Sequence, residues 1–431
     1  MSKGEGARAA ALAILSEVLR KRRPLDATTD DVLARAQLSP RDAGFARAIS
    51  HETLRRFGQL DTLIRTFVTR PPPPHRSGPT LEILMAGACE LLFLDVAPHA
   101  AVDGANRLAA ADNKAVHFKP LINATLRRIA REGKEVAAAQ DAARLNTPDW
   151  LSQRWRETYG DETARAIGAA HLVPPPLDFL GADDQAALRT RPDAIALPGG
   201  ALRLRDAGRV DELPGFSEGQ WWVQDFAASL PARLLGDVKG QTVIDLCAAP
   251  GGKTAQLAEA GGRVIAVERE PSRAQMLGEN LARLRIEADI IEADLRDYTP
   301  PQPAPFVLLD APCTATGTIR RHPDLPWVKS ASDVGACAEG ASELLEAAAR
   351  MVAKGGTLVF AVCSLEPEEG PEQIAHFLRR HSEFGREPID PSCIFDLAEL
   401  VTRDGDLRTL PCHFSELGGM DGFYAARLKR I

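Results

Sequence analysis

From residue 242 onward, short apolar runs alternate with stretches of helical character, and that alternation leaves few folds open. The runs are 242–246, 263–267, 289–291, 306–309, 357–362 and 423–428, with helices expected around 253–260, 271–284, 338–353 and 371–381. Strands separated by helices need crossover connections, so the pattern predicts a parallel, doubly wound α/β sheet. Residues 422–431 are expected to close it as an edge strand. In open parallel sheets ligands bind at the carboxyl ends of strands. The residues that end each run are therefore the candidates for function.

The front of the chain has another period. Leu12, Leu15 and Leu19 recur at helical spacing, as do Leu60, Leu63, Ile64 and Phe67. Leu81, Leu84, Ala88 and Leu91 make a third stripe, and Leu121, Ile122, Leu126 and Ile129 a fourth. These stripes read as the core of an all-α domain. Ser39-Pro40 marks a helix start, and the prolines at 71–74 break the set once. The expected organisation is an all-α domain over 1–135, a helical linker over 136–171, a small α+β subdomain over 172–225 and the alternating domain over 226–431. Val173-Pro-Pro-Pro176 ends the linker.

The net charge of -7 argues against a polyanionic partner until its distribution is considered. Residues 1–134 carry 21 Lys+Arg against 14 Asp+Glu, and the remainder 31 against 45. A basic front half predicts an anionic partner there, although an arginine-rich helical surface gives the same count. Seven cysteines without a CxxC pair or clustered histidines speak against a disulfide framework and a zinc ribbon. No apolar run approaches the roughly 18 residues needed to span a bilayer, and the N-terminus lacks an apolar secretion core. The expectation is a cytoplasmic protein that needs neither membrane nor metal and works as a monomer.

The first apolar run ends in Asp245-Leu-Cys-Ala-Ala-Pro-Gly-Gly-Lys-Thr254. Glycines after a first strand let the backbone approach a ligand and start a helix. Gly252-Lys253-Thr254 match the end of a P-loop, but Cys247 stands where its first glycine belongs. The GxGxxG dinucleotide fingerprint is also absent. The remaining reading is the S-adenosylmethionine turn of Rossmann-like methyltransferases. Glu268 ends the second run and is suited to both ribose hydroxyls. Asp294 follows the third run and is suited to the adenine amino group. Each carboxylate alone is more often a cap or turn residue; three at successive strand ends behind a Gly-Gly turn point to a nucleoside.

The fourth run leads into Asp310-Ala-Pro-Cys313, and the fifth into Cys363-Ser364. Two thiols and a carboxylate are thus expected to converge beside the cofactor turn. A thiol of ordinary pKa, about 8.5, needs activation to be a strong nucleophile. A single strand-end cysteine is more often buried filler, but two beside a cofactor favour catalysis.

These motifs resemble the RNA cytosine-5 methyltransferases. More narrowly, Ala315-Thr-Gly-Thr-Ile-Arg-Arg-His-Pro-Asp324, Gly219-Gln-Trp-Trp-Val-Gln-Asp225 and Gly419-Met-Asp-Gly-Phe-Tyr424 resemble the bacterial RsmB type, also called Sun or Fmu. The N-terminal helices, with Asn123-Ala-Thr-Leu-Arg127, are similar to the NusB RNA-binding fold. The resemblance implies methyl transfer from S-adenosylmethionine to carbon 5 of a cytosine in 16S ribosomal RNA, in a loop or otherwise unpaired. It implies Cys363 as nucleophile, Cys313 as the base that completes release, and Asp310 at ring nitrogen 3. Cys247, Ala248, Ala249, Pro250, Gly251, Gly252, Lys253, Glu268, Asp294 and Asp310 are expected to bind the cofactor. Arg320, Arg321 and Lys253 are expected to meet RNA.

The family pattern is broken twice. Val362 stands where threonine often precedes the nucleophile, and Glu268 replaces a commoner aspartate. Neither change removes a reacting group. The same chemistry on transfer RNA, an inactive RNA-binding assembly factor and a P-loop ATPase are the alternative readings.

Overall fold

The computed structural model describes residues 4–181 and 186–431. Residues 182–185 of the expected 172–225 subdomain, and 1–3 of the front domain, lie outside the described residues. The chain forms two compact units: residues 1–173 with 319–330, and residues 174–318 with 331–431.

The first unit is helical, and its helices follow the predicted stripes. Leu60, Leu63, Ile64, Leu84, Ala88, Leu91, Ile122, Leu126 and Ile129 all enter one buried cluster. The Pro40–Arg55 helix starts as expected: Ser39 Oγ accepts the Asp42 N–H at 3.2 Å, with proline at the first position. The linker region is folded into this unit as the Asp149–Tyr159 and Asp161–Ala170 helices.

A segment remote in sequence completes the unit. Residues 319–330, which follow the predicted catalytic loop, pack among its helices. The Leu25 N–H donates to Asp324 Oδ2 at 3.1 Å, and Trp327 Nε1 donates to the Leu54 carbonyl at 2.9 Å. The Trp327 ring lies 4.7 Å from Phe57, and Val328 joins the core of the first helices.

The second unit holds two sheets. The smaller is antiparallel, with order β2-β3-β1-β4, from strands Leu177–Leu180 (β1), Ala194–Ala196 (β2), Leu202–Leu204 (β3) and Trp222–Val223 (β4). Asp178 and Arg203 pair inside it with both side chains fully buried, at 2.6 Å and 2.8 Å. Arg203 also donates to the Gly419 carbonyl at 2.6 Å, and Asp178 accepts the Phe226 N–H at 2.9 Å. One buried ion pair thereby ties the small sheet to two loops of the larger domain.

The larger sheet begins with Thr242–Leu246 (β5), Arg263–Glu268 (β6), Asp289–Glu292 (β7), Ala304–Asp310 (β8) and Val352–Val362 (β9). It ends with Phe384–Arg386 (β10), Leu407–Arg408 (β11) and Tyr424–Arg430 (β12). The order is β10-β12-β9-β8-β5-β6-β7, with β11 on β12. β5 through β9 run parallel, and β12 lies antiparallel to β9. The expected edge strand is thus an inner strand: the three-residue β10 pairs along its far side and takes the edge. The expected α/β Rossmann-like domain is otherwise present, behind an all-α front.

Why the inner runs are nearly continuously apolar follows from burial on both faces, whereas β7 at the sheet edge is exposed. Leu358, Phe360 and Val362 of β9 enter one core cluster, while Val359 and Ala361 enter the other. Alternate side chains of one strand point to opposite layers.

Candidate active site

At the end of β5 the chain turns sharply into the Gly252–Glu259 helix. Cys247 adopts φ 61° and Gly251 φ 107°. A Cβ on Gly251 would also lie 2.7 Å from Leu277 Cδ1, so this position favours glycine both conformationally and sterically. Thr254 Oγ1 donates to Asp245 Oδ2 at 2.6 Å, which locks the helix to the strand end. Asp245 is buried, and burial pushes its carboxyl up to about 7 against that hydrogen bond. Its Oδ1 has no hydrogen-bond partner among the described residues.

Glu268 ends β6 and folds back on the turn. Its Oε2 accepts the Ala249 N–H at 3.3 Å, and its Oε1 accepts the N–H groups of Arg269 and Glu270 at 2.9 Å and 3.1 Å. Asp294 is clamped by Arg296 through side-chain bonds of 3.0 Å and 2.7 Å, and these hold its carboxyl down at about 2. A cavity of about 290 Å³ opens between these strand ends, lined by Cys247, Glu268, Asp294, Pro312, Cys337 and Leu344 among others. It is near the lower end of the roughly 300–1,000 Å³ usual for small-ligand sites.

The donor set fits an adenosyl group. A carboxylate accepts about four hydrogen bonds; Glu268 already accepts three and Asp294 three from Arg296, so each keeps about one site, for a ribose hydroxyl and an amino donor. Val267, Pro312 and Leu344 supply an apolar wall. Of the expected cofactor residues, Cys247, Glu268 and Asp294 line this cavity, whereas Ala248, Ala249, Pro250, Gly251, Gly252, Lys253 and Asp310 do not.

Lys253 and Asp310 instead form a pair, Nζ to Oδ2 at 2.8 Å. Burial works against the lysine charge, but Asp310 outweighs it and holds the ammonium above its ordinary range. The same nitrogen sits 5.1 Å from the centre of the Phe423 ring.

The two predicted cysteines meet. Cys313 Sγ and Cys363 Sγ are 3.5 Å apart. Neighbouring parallel strands bring them together: Asp310 of β8 is in register with Ala361 of β9, and the Ala311 N–H continues the pairing to the Ala361 carbonyl at 2.8 Å. The Cys313 thiol is pushed well above its ordinary value, first by its hydrogen bond to Cys363, then by burial, then by charge on Cys363 and Glu369.

Beneath the thiols lies a buried polar network that sequence reasoning missed. Glu369 and Glu366 are fully buried. Glu369 accepts from the Thr314 N–H at 2.7 Å, from Thr314 Oγ1 at 2.6 Å and from Ser364 Oγ. Thr316 Oγ1 donates to Glu366 at 3.2 Å and accepts the Leu365 N–H at 3.0 Å. In sequence, Glu366-Pro-Glu-Glu369 resembles a solvated acidic loop. Only its position just after β9, three residues beyond Cys363, hints otherwise.

The expected RNA-contacting arginines follow a different logic. Arg320 is 1% exposed, and its carbonyl accepts from Arg55 Nη1 at 2.8 Å within the helical unit. That corrects the expectation that Arg320 grips phosphate: its side chain is interior. Arg321 is half-buried in the same segment. His322 Nδ1 lies 3.1 Å from Asp26 Oδ2. Among the described residues no cluster of three or more metal-ligating side chains occurs, and no helix is long and apolar enough to cross a membrane.

Residues 232–429 match the family model for the 16S rRNA methyltransferase RsmB/F, and residues 5–131 match that of the NusB family. The chain is 36% identical to ribosomal RNA small subunit methyltransferase B of Yersinia enterocolitica over 369 residues, covering 80% of this chain and 84% of that one. It is 32% identical to the probable ribosomal RNA small subunit methyltransferase B of Synechocystis over 452 residues, covering 98% and 99%. The solved structure of PH0851 superposes with a TM-score of 0.78 at 24% identity, covering 100% of this chain and 99% of that one, which establishes the shared fold. The chain therefore belongs to the ribosomal RNA small subunit methyltransferase B family, and its cofactor is S-adenosylmethionine.

Proposed function

We propose that this protein methylates carbon 5 of a cytosine in 16S ribosomal RNA through a covalent Cys363 adduct. The observation that carries this reading is the pair of thiols 3.5 Å apart at neighbouring strand ends, beside the Lys253–Asp310 pair. S-adenosylmethionine supplies an electrophilic methyl group when bound. Cytosine carbon 5 is a poor nucleophile until a thiolate adds at carbon 6 and makes it enamine-like. Cys363 forms that bond, and Asp310 holds a proton at ring nitrogen 3 as charge develops. Lys253, hydrogen-bonded to Asp310, keeps the pair charge-balanced while that proton moves.

The thiols then exchange roles. While Cys363 is a thiolate, its charge and its hydrogen bond hold the Cys313 proton in place. Once Cys363 is committed to a carbon–sulfur bond, that influence ends and Cys313 releases its proton to solvent. Cys313 removes the carbon-5 proton, the freed electron pair re-forms the C5–C6 double bond as Cys363 leaves as thiolate, and the proton at ring nitrogen 3 returns to Asp310.

In this reading residues 226–431 carry cofactor and chemistry, with Glu268 and Asp294 as the nucleoside carboxylates. Residues 1–135 and 172–225 bind RNA. Support comes from exposed Arg70, Arg76, Lys114, Lys119 and Arg127 on the helical unit. The target base must leave its stack, so an unpaired cytosine is the economical substrate. Arg321 and Lys253 remain the residues assigned to RNA contact.

Cys313→Ala tests the mechanism. With 16S ribosomal RNA and S-adenosylmethionine it is expected to give a slow band on a denaturing gel. That band should vanish in the Cys313→Ala, Cys363→Ala double variant. Methyl transfer at the wild-type rate without a band would overturn the two-cysteine mechanism.

A further inference from the structure

The buried carboxylate of Glu369 touches neither the cofactor cavity nor a reacting atom, yet it bonds to the residue that directly follows each cysteine. Thr314 belongs to the loop after β8, and Ser364 to the loop after β9. The backbone also links these loops, through the Ala311 N–H to the Ala361 carbonyl and the Gly317 N–H to the Cys363 carbonyl at 3.0 Å. Glu369 adds a side-chain clamp between those two points, at the level of the thiols.

We propose that Glu369 is a positioning residue for both thiols, fixing the distance between Cys313 and Cys363 and setting which of them keeps its proton.

The direction of the hydrogen bonds supports this. Ser364 Oγ already accepts the Glu366 N–H at 3.0 Å, so its own proton is directed at Glu369. Thr314 gives Glu369 both a hydroxyl and a backbone proton. Three donors converge on one carboxyl, which is the arrangement an ionised carboxylate needs. A buried anion without donors would be far costlier. Arg408 fixes the other side of the loop, donating to the Ser364 carbonyl at 2.7 Å.

Charge around the pair is asymmetric in the useful sense. The Lys253 ammonium is held in its charged form chiefly by Asp310, with a smaller share from charge on Cys363. Burial pushes the Glu369 carboxyl up against the bonds from Ser364 and Thr314, and its charge opposes a thiolate on Cys313. The inference rests on the two-cysteine reading for its catalytic meaning, but the geometry it asserts is measurable without RNA or cofactor.

The test is the rate at which full-length protein closes a Cys313–Cys363 disulfide with diamide, read by peptide mass spectrometry after alkylation. Diamide takes up the two thiol protons and two electrons and becomes the hydrazine. In Glu369→Gln the limiting rate is expected to fall at least fivefold, because the amide offers a donor where a donor already points. The pH at which closure reaches half that limit is expected to fall as well, because the anion beside Cys313 is gone. A merely structural carboxylate would not move that midpoint. A wild-type rate and midpoint in Glu369→Gln would overturn the proposal. Should that variant fail to fold, Ser364→Ala cuts the Glu369 link on the Cys363 side, together with the acceptor for the Glu366 N–H, and a wild-type closure rate there overturns it equally. The gel trap with Cys313→Ala fails or succeeds independently, so a wrong mechanism and a wrong clamp are told apart.

Discussion

Two departures from the carboxyl edge of the sheet are built in opposite ways. After β5 the chain turns within residues 247–251 and starts a helix that is tied back to its own strand by Thr254 and Asp245. After β8 it travels from Ala311 to Ser330 before the Ala331–Met351 helix begins, and residues 319–330 pack in the helical unit. The first departure is held by partners a few residues away. The second is held by Leu25, Leu54 and Phe57, more than 250 positions distant in sequence. A turn closed by local partners announces itself in its glycines and threonines. A segment closed by distant partners does not, because nothing within it says what it will meet.

The largest expected effect falls on the second departure. Trp327→Ala removes the ring packed on Phe57 and the hydrogen bond to the Leu54 carbonyl. A cost of about 3 kcal/mol is expected, the low end for losing a large aromatic, since this ring is only partly buried. Calorimetry should show the loss as a lowered melting transition, while titration with S-adenosylmethionine stays near wild type. An unchanged melting profile would mean that the segment is a passenger on the helices and the contrast is wrong.

The same contrast explains what could be read from sequence. The runs of β5, β6, β8 and β9 were legible because strands buried within the sheet are apolar almost throughout, as Val359 and Phe360 show from opposite layers. The cysteine pair was legible because adjacent strand ends meet. The start of β9 was not: Val352 to Gly356 extend the strand backward through two glycines and into the end of the helix expected over 338–353. The small sheet was only partly legible, since strands of two to four residues leave almost no period to detect. Glu369 was invisible for a deeper reason. A buried carboxylate and a solvated one have the same letter, and only the hydroxyls converging on it separate them. Arg320 misled in the same way, as a charged residue in a loop that proves to be interior.

A second prediction probes the electrostatics of the local turn. Asp245 has an ordinary value of 3.8 and is pushed to about 7 in the fold. Over that window the folded state keeps a proton that the unfolded state releases. Stability at this site is therefore fully present below the lower value and is lost as pH rises toward the upper one. The slope approaches about 1.4 kcal/mol per pH unit at most. Asp245→Asn carries no titrating proton, so its stability should fall less than that of wild type between pH 4 and 7. Parallel curves for the two proteins in urea unfolding would show that Asp245 ionises in the fold as it does outside it.

The smallest effect is expected where the turn is tightest. Gly251 stands at φ 107°, and an added methyl would press on Leu277 Cδ1 at 2.7 Å. The contact is with the end of a flexible side chain, so Leu277 can give way and the backbone term dominates. A left-handed alanine costs roughly 1–2 kcal/mol. Gly251→Ala is therefore expected to fold with a slightly lowered melting temperature, yet to weaken S-adenosylmethionine more than its stability loss suggests, because the turn that bears on the cofactor cavity is what moves. If affinity instead falls only in proportion to stability, the turn would be a passive strand-to-helix connection. Recognition of the nucleoside would then rest on the carboxylates proposed for it, Glu268 and Asp294.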